Sequence, residues 1–494
     1  MKPGTRTLLA GGAVFAAMSI ISVQTPAQQR LAAQQAPSGP EVVREEVVSG
    51  PAAAGGAAAG AGGGGAGAAA GAGARKAGAA AGAAPSRFQC AAGQNGGATD
   101  KGVSATKIRL ASTHVLSGDG SSFLGSSHVG MEAVVSNINS KGGICGRLLD
   151  LTLRDDGWQA PLGASFIQNF INDPTGYFAL PVVPSSEGLT QAIKSRYIGN
   201  GKVPVVGTDG MLKEQYQDPY VWPVATATVS TMRIMAKQAY DSGARQFGIV
   251  WDSRYKFGKE GAKAFEQYVK KLPGAHLDAN IGIPPGQPSY PDTERFNADC
   301  GPAKRCEFVA MLLEPGTAIS WINSMGDDSA GRRLGFGSKG TGGAQPLFNA
   351  KFARDCGEPC NGMLLWTGYN PPIGEKLNLP GVAKYVNDVK AIDPGADVSN
   401  QFLEGAYLGM TVFVEALKRV GPELTRARLK EVMDSLAFQS DLASPLTYGP
   451  SRHYANLGAQ AFTVRTAAGS FSGFADAGTG FILDPSPGDF PSGG

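Results

Sequence analysis

Apolar runs and amphipathic segments alternate along the chain from Lys107 onward. Runs such as "KIRLAS", "LLDLTLRDD" and "KVPVVGT" have the length of buried strands. The segment "GSSHVGMEAVVSNINSKGG" instead places Met131, Val134 and Ile138 on one helical face, and two glycines end it. Strands that alternate with helices of about 10 to 15 residues predict parallel sheets connected by helical crossovers.

The alternation continues in a second series through the middle of the chain. The apolar run "FGIVWD" is followed by the break "DSRYKFG" and the helical segment "KFGKEGAKAFEQYVKKLPGA", and "CEFVAMLLE" predicts a further strand. About eight such units are too many for one sheet of this kind, so we predict an α/β fold with two Rossmann-like lobes. Residues from Leu446 to Leu483 are strand-like and punctuated by glycine, and "DPSPGDFPSGG" is a tail.

The first 88 residues do not follow this pattern. Residues 1–27 combine a basic start, an apolar run of about 16 residues and small residues up to Ala27, which is typical of a secretory signal peptide. The run is short for a membrane-spanning helix of about 20 residues, so we favour cleavage, with retention as an anchor as the alternative. Residues 28–88 are rich in glycine and alanine and predict a disordered linker.

A signal peptide implies export to the cell envelope or the extracellular space. No cysteine precedes Cys90, and "RFQC" lacks the small apolar residues of a lipoprotein cleavage site, so we expect no lipid anchor. Export makes disulfides the expected state of the six cysteines. A zinc site is the alternative, but the spacings do not match zinc knuckles and no histidine lies nearby. Spacing favours three pairs: Cys300–Cys306, Cys356–Cys360 and, by elimination, Cys90–Cys145.

Charge and motifs exclude several function classes. The net charge is +3, from 44 basic and 41 acidic residues, which gives no field suited to nucleic acid. The "GFGSKG" stretch has the spacing of a dinucleotide fingerprint but lacks the strand before it and the helix after it. The four histidines are scattered singly, and Asp155–Asp156 is more simply a pair that caps a helix or holds a loop. No nucleophile–base set can be assembled, so we expect neither an enzyme nor a cofactor or metal.

Small polar residues follow two consecutive predicted strands. "VVPSSEG" places Ser185 and Ser186 at the carboxyl end of one strand and the start of a helix, and "VVGTDG" places Thr208 and Asp209 similarly. Helix N-termini that carry free N–H groups and hydroxyls bind carboxylates well. Simple N-capping is the alternative for the two serines, but two such sites on consecutive strands favour a pocket.

These segments resemble a known family. The stretch "STHVLSGDGSSFLGSSHVGMEAVVSNINSKGGICGRLLDLTLRDDG" is similar to the opening of the leucine/isoleucine/valine-type solute-binding proteins of ABC transporters, which have the type I periplasmic-binding fold. The resemblance runs from about Lys107 to about Gly473. It implies two lobes joined by a three-strand hinge, with lobe 1 at about 89–226 and 368–446 and lobe 2 at about 227–367 and 447–483. Residues 484–494 would then be the tail.

The resemblance also implies a site between the lobes. Lobe 1 would supply hydroxyls and N–H groups to the carboxylate of a small solute, and lobe 2 an aromatic cover. The alternative for Phe257 is that it only packs beneath its own helix. The implied residues are Ser185 or Ser186 and the turn Thr208, Asp209 and Gly210 in lobe 1, Phe257 with Tyr255 beside it in lobe 2, and Phe123 after the "LSG" turn as a lid.

The sequence departs from the family at the group that would bind an ammonium. Amino-acid binders carry a carboxylate on the lobe 2 strand that aligns with "PLFNAKF", where this chain has Asn349, Lys351 and Phe352. Glu314, one strand earlier, is the possible substitute. Burying an unpaired ammonium costs several kcal/mol. We therefore expect a solute with a carboxylate and an apolar or aromatic body, and without an α-amine.

The function that follows from the resemblance is capture of a small molecule by domain closure and delivery to a membrane permease of an ABC importer. We expect a monomer. The alternative is a ligand sensor of the same fold that signals to a receptor or regulator, and a secreted hydrolase is a remote third possibility.

Overall fold

The structure is a computed structural model that describes Cys90 and residues 94–300, 306–327 and 334–491. The predicted signal peptide (1–27) and the predicted linker (28–88) lie outside the described residues. Within the described part, strands alternate with helices as expected, and the sheets are mainly parallel. The predicted α/β class is therefore confirmed.

Lobe 1, as we use the term, is the layer of short parallel strands formed by the first part of the chain together with the helices that pack on it. Its strands are β1 (Lys107–His114), β2 (Leu148–Asp155), β3 (Leu180–Val183), β4 (Val205–Thr208) and β5 (Val221–Trp222). β1 pairs with β2 along its whole length, and β3, β4 and β5 pair in order. A bridge between Leu110 and Ala179 joins the two groups.

Helices cover the lobe 1 strands. They are α1 (Ser121–Leu124), α2 (Ser127–Asn139), α3 (Ala160–Asn172), α4 (Ser186–Lys194), α5 (Tyr197–Gly201) and α6 (Lys213–Gln217). The predicted apolar face of α2 is buried.

Lobe 2 is the larger sheet with its own helices. Its helices are α7 (Thr228–Asp241), α8 (Lys256–Val269), α9 (Asp292–Cys300), α10 (Pro315–Met325) and α11 (Ala350–Cys356). Its parallel strands are β6 (Gln246–Asp252), β7 (His276–Ile283), β8 (Phe308–Leu312), β9 (Thr341–Gly343) and β10 (Leu364–Thr367). Single 3-10 turns occur at Gln345–Leu347, Glu358–Cys360 and Gly374–Asn378.

The chain then returns to lobe 1 and crosses back once more. The returning elements are α12 (Pro380–Ile392), α13 (Gln401–Val420), α14 (Arg426–Met433) and the antiparallel pair β11 (Ala437–Phe438) and β12 (Leu446–Thr447). The strand-like C-terminal run forms β13 (Gly458–Ala467), β14 (Ser470–Asp476) and β15 (Ile482–Leu483), which extend the lobe 2 sheet in antiparallel fashion. α13 packs closely on α2, where a side chain in place of Gly130 would meet the Leu403 carbonyl at 2.5 Å.

Three chain segments connect the lobes: after β5, after β10 and after β12. The side chain of Asn456, in the third segment, donates hydrogen bonds to the carbonyls of Val224 (3.2 Å) and Gly368 (3.0 Å), which belong to the other two. Tyr448 in the third segment also donates to the Pro223 carbonyl (2.7 Å). The segments are therefore bonded to one another, and the exact lobe boundaries stay a prediction.

The cysteines pair as the spacing indicated. The structure forms the disulfides Cys90–Cys145, Cys300–Cys306 and Cys356–Cys360.

The predicted tail is packed against the folded chain. Asp484 forms a buried ion pair with Arg233 of α7, with Oδ1 2.8 Å from Nε and Oδ2 2.5 Å from Nη2. Arg233 also donates to the Asp489 carbonyl (2.8 Å), and the ring of Phe490 stacks on Tyr216 of α6 at 5.5 Å. Residues 484–490 thus contact helices of both lobes.

Removing one partner of the Arg233–Asp484 ion pair should lower the stability of the fold. Asp484→Ala leaves a buried guanidinium without its carboxylate, so we expect the free energy of unfolding to fall by about 3 kcal/mol or more. Asp241→Ala on the same helix removes a solvent-exposed pair with Lys237 and should cost less than about 1 kcal/mol. Chemical denaturation of the two variants measures the difference.

The double variant Arg233→Met/Asp484→Leu completes the comparison. It removes both charges and should regain most of the loss, because apolar residues of similar volume replace buried ion pairs at little cost. Equal losses for Asp484→Ala and Asp241→Ala would contradict the burial argument.

Candidate functional site

The loop between β2 and α3 enters the region where the lobes meet. Asp155 Oδ1 accepts hydrogen bonds from the N–H groups of Leu116 (2.9 Å) and Gly157 (3.0 Å), and Asp156 Oδ1 accepts from Trp158 (2.9 Å). Gly157 and Trp158 both have left-handed backbone angles (φ 56° and 63°). This conformation costs a non-glycine residue roughly 1–2 kcal/mol. The two aspartates therefore hold a loop, as the simpler interpretation of the pair indicated.

The loop places Trp158 at the centre of a cluster of rings from both lobes, which we call the aromatic cluster. The Trp158 ring stacks on Tyr255 with centroids 4.4 Å apart and on Phe257 at 6.1 Å. Phe123 meets the indole edge-on at 5.5 Å, and Phe402 of α13 lies 5.4 Å from Phe123. Only 6% of Trp158 is exposed. The predicted lid and cover residues are thus together, around a residue that the sequence analysis did not select.

The break "DSRYKFG" positions the lobe 2 rings. Tyr255 precedes the first turn of α8, and Phe257 lies within that turn. A side chain in place of Gly258 would lie 2.1 Å from the Asp252 carbonyl, so this position requires glycine for the strand to turn into the helix. Phe257 is 1% exposed and contacts rings across the lobe boundary, and its role in binding a solute stays a prediction.

The serines and the following turn meet at the N-terminus of α4. The Ser186 N–H donates to Asp209 Oδ2 (3.2 Å), and its Oγ accepts from the Trp158 indole N–H (3.2 Å). Ser185 is fully buried at the N-cap position but makes no side-chain capping bond. The carboxyl group of Asp209 therefore lies at the helix end that was predicted to receive an anion.

The turn after β4 is internally bonded. Asp209 Oδ1 accepts from the Met211 N–H (3.2 Å) and from Gln215 Nε2 (2.8 Å). Thr208 Oγ1 donates to Gln215 Oε1 (2.7 Å) and accepts from the Gly210 N–H (3.1 Å).

Burial changes the charge state of two lobe 1 carboxyls. Loss of solvent raises the pKa of Asp209 to about 7, against the opposing effect of its hydrogen bonds. Loss of solvent likewise raises the pKa of Asp156 to about 6, against hydrogen bonds from Ser185, Trp158 and Thr113. Burial thus favours the neutral form of both carboxyls over the charged form.

Charged groups also join the lobes beside the aromatic cluster. Lys256 of α8 forms ion pairs with Glu214 of α6 and with Glu260 (3.2 Å), and Glu260 Oε2 accepts from the Lys213 N–H (3.0 Å). The Tyr255 hydroxyl donates to Asp119 Oδ2 (3.1 Å) on the lobe 1 side. Sequence analysis did not find the contacts of Lys256 with Glu214, of Glu260 with Lys213 and of Tyr255 with Asp119, because the two partners in each come from different lobes.

Glu314 is placed differently from the other predicted residues. Its carboxylate caps its own helix α10, accepting from the N–H groups of Gly316 (2.8 Å) and Thr317 (2.5 Å), and its backbone N–H donates to Asp252 Oδ2 (2.7 Å). Asn349 caps α11 in the same way, by accepting from the Phe352 N–H (2.7 Å). A role for Glu314 with an ammonium group stays a prediction.

A small cavity of about 10 Å³ lies near the hinge, close to the room that one water needs. Thr208 and Asp209 of lobe 1, Gln345, and Tyr369 beside the second crossover line it together with Phe402. Side chains of the protein therefore fill most of the space between the lobes in this form.

The two-lobed α/β fold thus brings a polar helix end of one lobe together with aromatic rings of the other around Trp158. A family model described as "Periplasmic binding protein" matches residues 107–470, and the chain belongs to this family. The resemblance and the fold expected from it are confirmed. A search among curated proteins gave no match.

Solved structures of ABC-transporter solute-binding proteins share the fold. A branched-chain amino acid ABC transporter protein from Thermus thermophilus with bound valine is 13% identical, with a TM-score of 0.63 over 77% of this chain and 97% of that one. A fatty acid ABC transporter substrate-binding protein from Thermomonospora curvata is 16% identical (TM-score 0.62, 78% and 93%). A solute-binding protein from R. palustris in complex with 4-hydroxybenzoate is 14% identical (TM-score 0.62, 76% and 97%).

Asp209→Asn should change how stability depends on pH. A carboxyl whose pKa rises from 3.8 to about 7 on folding binds its proton more tightly in the folded state. Its stabilising contribution is complete below the unfolded pKa and is lost as the pH rises through the folded pKa. The free energy of unfolding of the wild type minus that of Asp209→Asn should therefore fall between about pH 4 and pH 7, by at most about 1.4 kcal/mol per pH unit.

Denaturant titrations at each pH measure this difference. Asp355→Asn is the control, because Asp355 is exposed on α11 and solvent hydrates its carboxylate whether or not the chain is folded. A difference between the wild type and Asp209→Asn that is constant from pH 4 to pH 7 would show that burial does not hold the proton on Asp209.

Proposed function

We propose that the protein is an exported, non-enzymatic solute-binding protein that captures a small molecule between its lobes and delivers it to the permease of an ABC importer. The observation that carries the proposal is that Ser186, at a helix N-terminus of lobe 1, and Tyr255 and Phe257 of lobe 2 all contact the Trp158 side chain. A polar helix end suits an oxygen-bearing group, and rings on the other side suit an apolar body. Among the described residues, no helix is long and apolar enough to cross a membrane.

We propose further that the solute carries a carboxylate and an apolar or aromatic body and lacks an α-amine. Three acids near the cleft already have partners: Glu314 caps a helix, Glu260 pairs with Lys256, and Asp119 accepts from Tyr255. An ammonium group would therefore have to compete for its counter-charge, which is unfavourable in a buried site. That one neighbour of the same fold binds 4-hydroxybenzoate and another is named for fatty acids agrees with this class of solute.

Asp209 fits an acidic solute only when it is protonated. Two carboxylates at one helix end repel each other, whereas a neutral carboxyl can donate a hydrogen bond to a carboxylate. The raised pKa of Asp209, about 7, makes the protonated form accessible near neutral pH. Binding of a carboxylate is therefore expected to be tighter below pH 7 than above it.

A thermal-shift screen of benzoate, 4-hydroxybenzoate, octanoate, leucine and valine tests the solute class, and calorimetry measures the affinities. Ser186→Ala should weaken binding of the best carboxylate by about 1–3 kcal/mol, the cost of leaving a buried group without its partner. Phe257→Ala should weaken it by a similar amount through lost ring contact. Ser195→Ala, at the other end of α4, is the control and should leave the affinity unchanged.

Two other results of the same measurements would contradict these expectations. Tight binding of leucine or valine that Glu314→Gln abolishes would show that Glu314 holds an ammonium and would overturn the solute class. Loss of stability without loss of affinity in Ser186→Ala and Phe257→Ala would show that both residues only cap and pack.

A further inference from the structure

Trp158 makes the two kinds of contact that the proposed function assigns to the solute. Its ring lies flat against Tyr255 and Phe257 of lobe 2, with interplanar angles of 29° and 28°. Its indole N–H donates to Ser186 Oγ at the N-terminus of α4. One side chain of the protein therefore bridges the polar and the aromatic halves of the candidate site.

The backbone around Trp158 is built to place the ring there. Trp158 and Gly157 adopt left-handed angles, which the hydrogen bonds from their N–H groups to Asp156 and Asp155 compensate. Gly120 packs on the opposite side, where an added Cβ would come within 2.9 Å of the indole. The ring is thus held from lobe 1 and presented to lobe 2.

The space beside the ring is too small for a second ring. The centroids of Trp158 and Tyr255 are 4.4 Å apart, whereas a ring inserted between them needs about 7 Å, twice an ordinary stacking separation. The cavity near the hinge, about 10 Å³, holds no more than a water. In this form of the protein, a solute that reaches Ser186 and the lobe 2 rings would take the place of the indole.

We propose that Trp158 is an internal occupant of the cleft that the solute displaces, and that it selects for solutes with a flat aromatic ring. The inference rests on the proposed function and names the solute class more narrowly, as aromatic carboxylates. A flat ring can replace the indole in its stack on Tyr255 and Phe257, whereas a flexible alkyl chain cannot restore ring-to-ring contact. The indole also lowers the apparent affinity of every solute, because only the fraction of molecules with Trp158 displaced is competent to bind.

The first test removes the occupant. Trp158→Ala should bind benzoate or 4-hydroxybenzoate about tenfold more tightly than the wild type, the gain expected when roughly one molecule in ten has the ring displaced. Trp251→Ala is the control, because Trp251 lies on β6 outside the aromatic cluster and its indole N–H donates to Asn280. Unchanged or weaker binding by Trp158→Ala would overturn the inference and show that Trp158 is part of the wall of the site.

The second test uses free indole as the probe and does not depend on any carboxylate. Indole at millimolar concentration should raise the melting temperature of Trp158→Ala by several degrees, and it should not do so for the wild type or for Trp158→Ala/Phe257→Ala. Absence of this shift in Trp158→Ala would overturn the inference. Failure of all carboxylates to bind both the wild type and Trp158→Ala would instead overturn the proposed solute class, so the two failures are distinguishable.

A third measurement needs no destabilising change. Binding of 4-hydroxybenzoate to the wild type should move the tryptophan emission to longer wavelength, as Trp158 leaves its buried stack for solvent. The conservative variant Trp158→Phe retains a ring and should bind without this shift. The same shift in Trp158→Phe and in the wild type would contradict displacement.

Discussion

The amide of Asn456 is the interaction on which the two-lobed arrangement depends. Its two N–H hydrogens are donated to the carbonyls of Val224 and Gly368, and its oxygen accepts from Ser444 (2.8 Å). A side chain with only one donor would leave one of these buried carbonyls unpaired. All three crossovers are therefore bonded to one another at one point, between lobe 1 with its polar helix end and lobe 2 with its rings.

The contacts between the lobes divide into two kinds with opposite dependence on solvent. The Lys256 pairs with Glu214 and Glu260 are partly exposed on the lysine side, so salt and water weaken them. The aromatic cluster gains stability by excluding water, and its polar member, the indole N–H, already has a partner. Burial of the aromatic rings therefore stabilises the contact between the lobes, and the Lys256 ion pairs fix its orientation. A solute of the class proposed above, with an apolar body and an oxygen-bearing group, would match both.

The sequence was sufficient for those parts of the molecule that depend on local pattern. Periodicity located α2 and α8, spacing gave the cysteine pairs, and strand ends placed Ser186 and Asp209 at one edge of a sheet. The resemblance then brought Phe123 near Phe257. It could not place Trp158, because the ring reaches the cleft only through two left-handed residues that no pattern predicts for tryptophan. The only signal was its position directly after "DDG", where aspartates that organise a loop precede it.

The interlobe pairs were beyond prediction for a different reason. Lys256 and Glu260 are one helical turn apart and suggest an ordinary surface pair, whereas Glu214 lies 42 positions away in the sequence on the other lobe. Glu314 is ambiguous in the sequence, since an acid at a strand end near a cleft also has the ideal position for capping the next helix. Whether such an acid faces a ligand or caps the helix is decided by where the helix begins relative to the carboxylate, which the structure shows and the sequence does not.

The packed tail at the end of the chain contacts both lobes. Asp484 and the Asp489 carbonyl, at the two ends of a short stretch, are both bound to Arg233 of lobe 2, and the ring of Phe490 stacks on Tyr216 of lobe 1. Pro487 in this stretch is exposed, and the six cysteines of the chain are all paired. A cysteine introduced at position 487 would be the single free thiol of the molecule. A dye attached there would lie next to the tail residues that contact both lobes and outside the aromatic cluster, which makes position 487 an attachment point for an optical reporter of the solute capture proposed above.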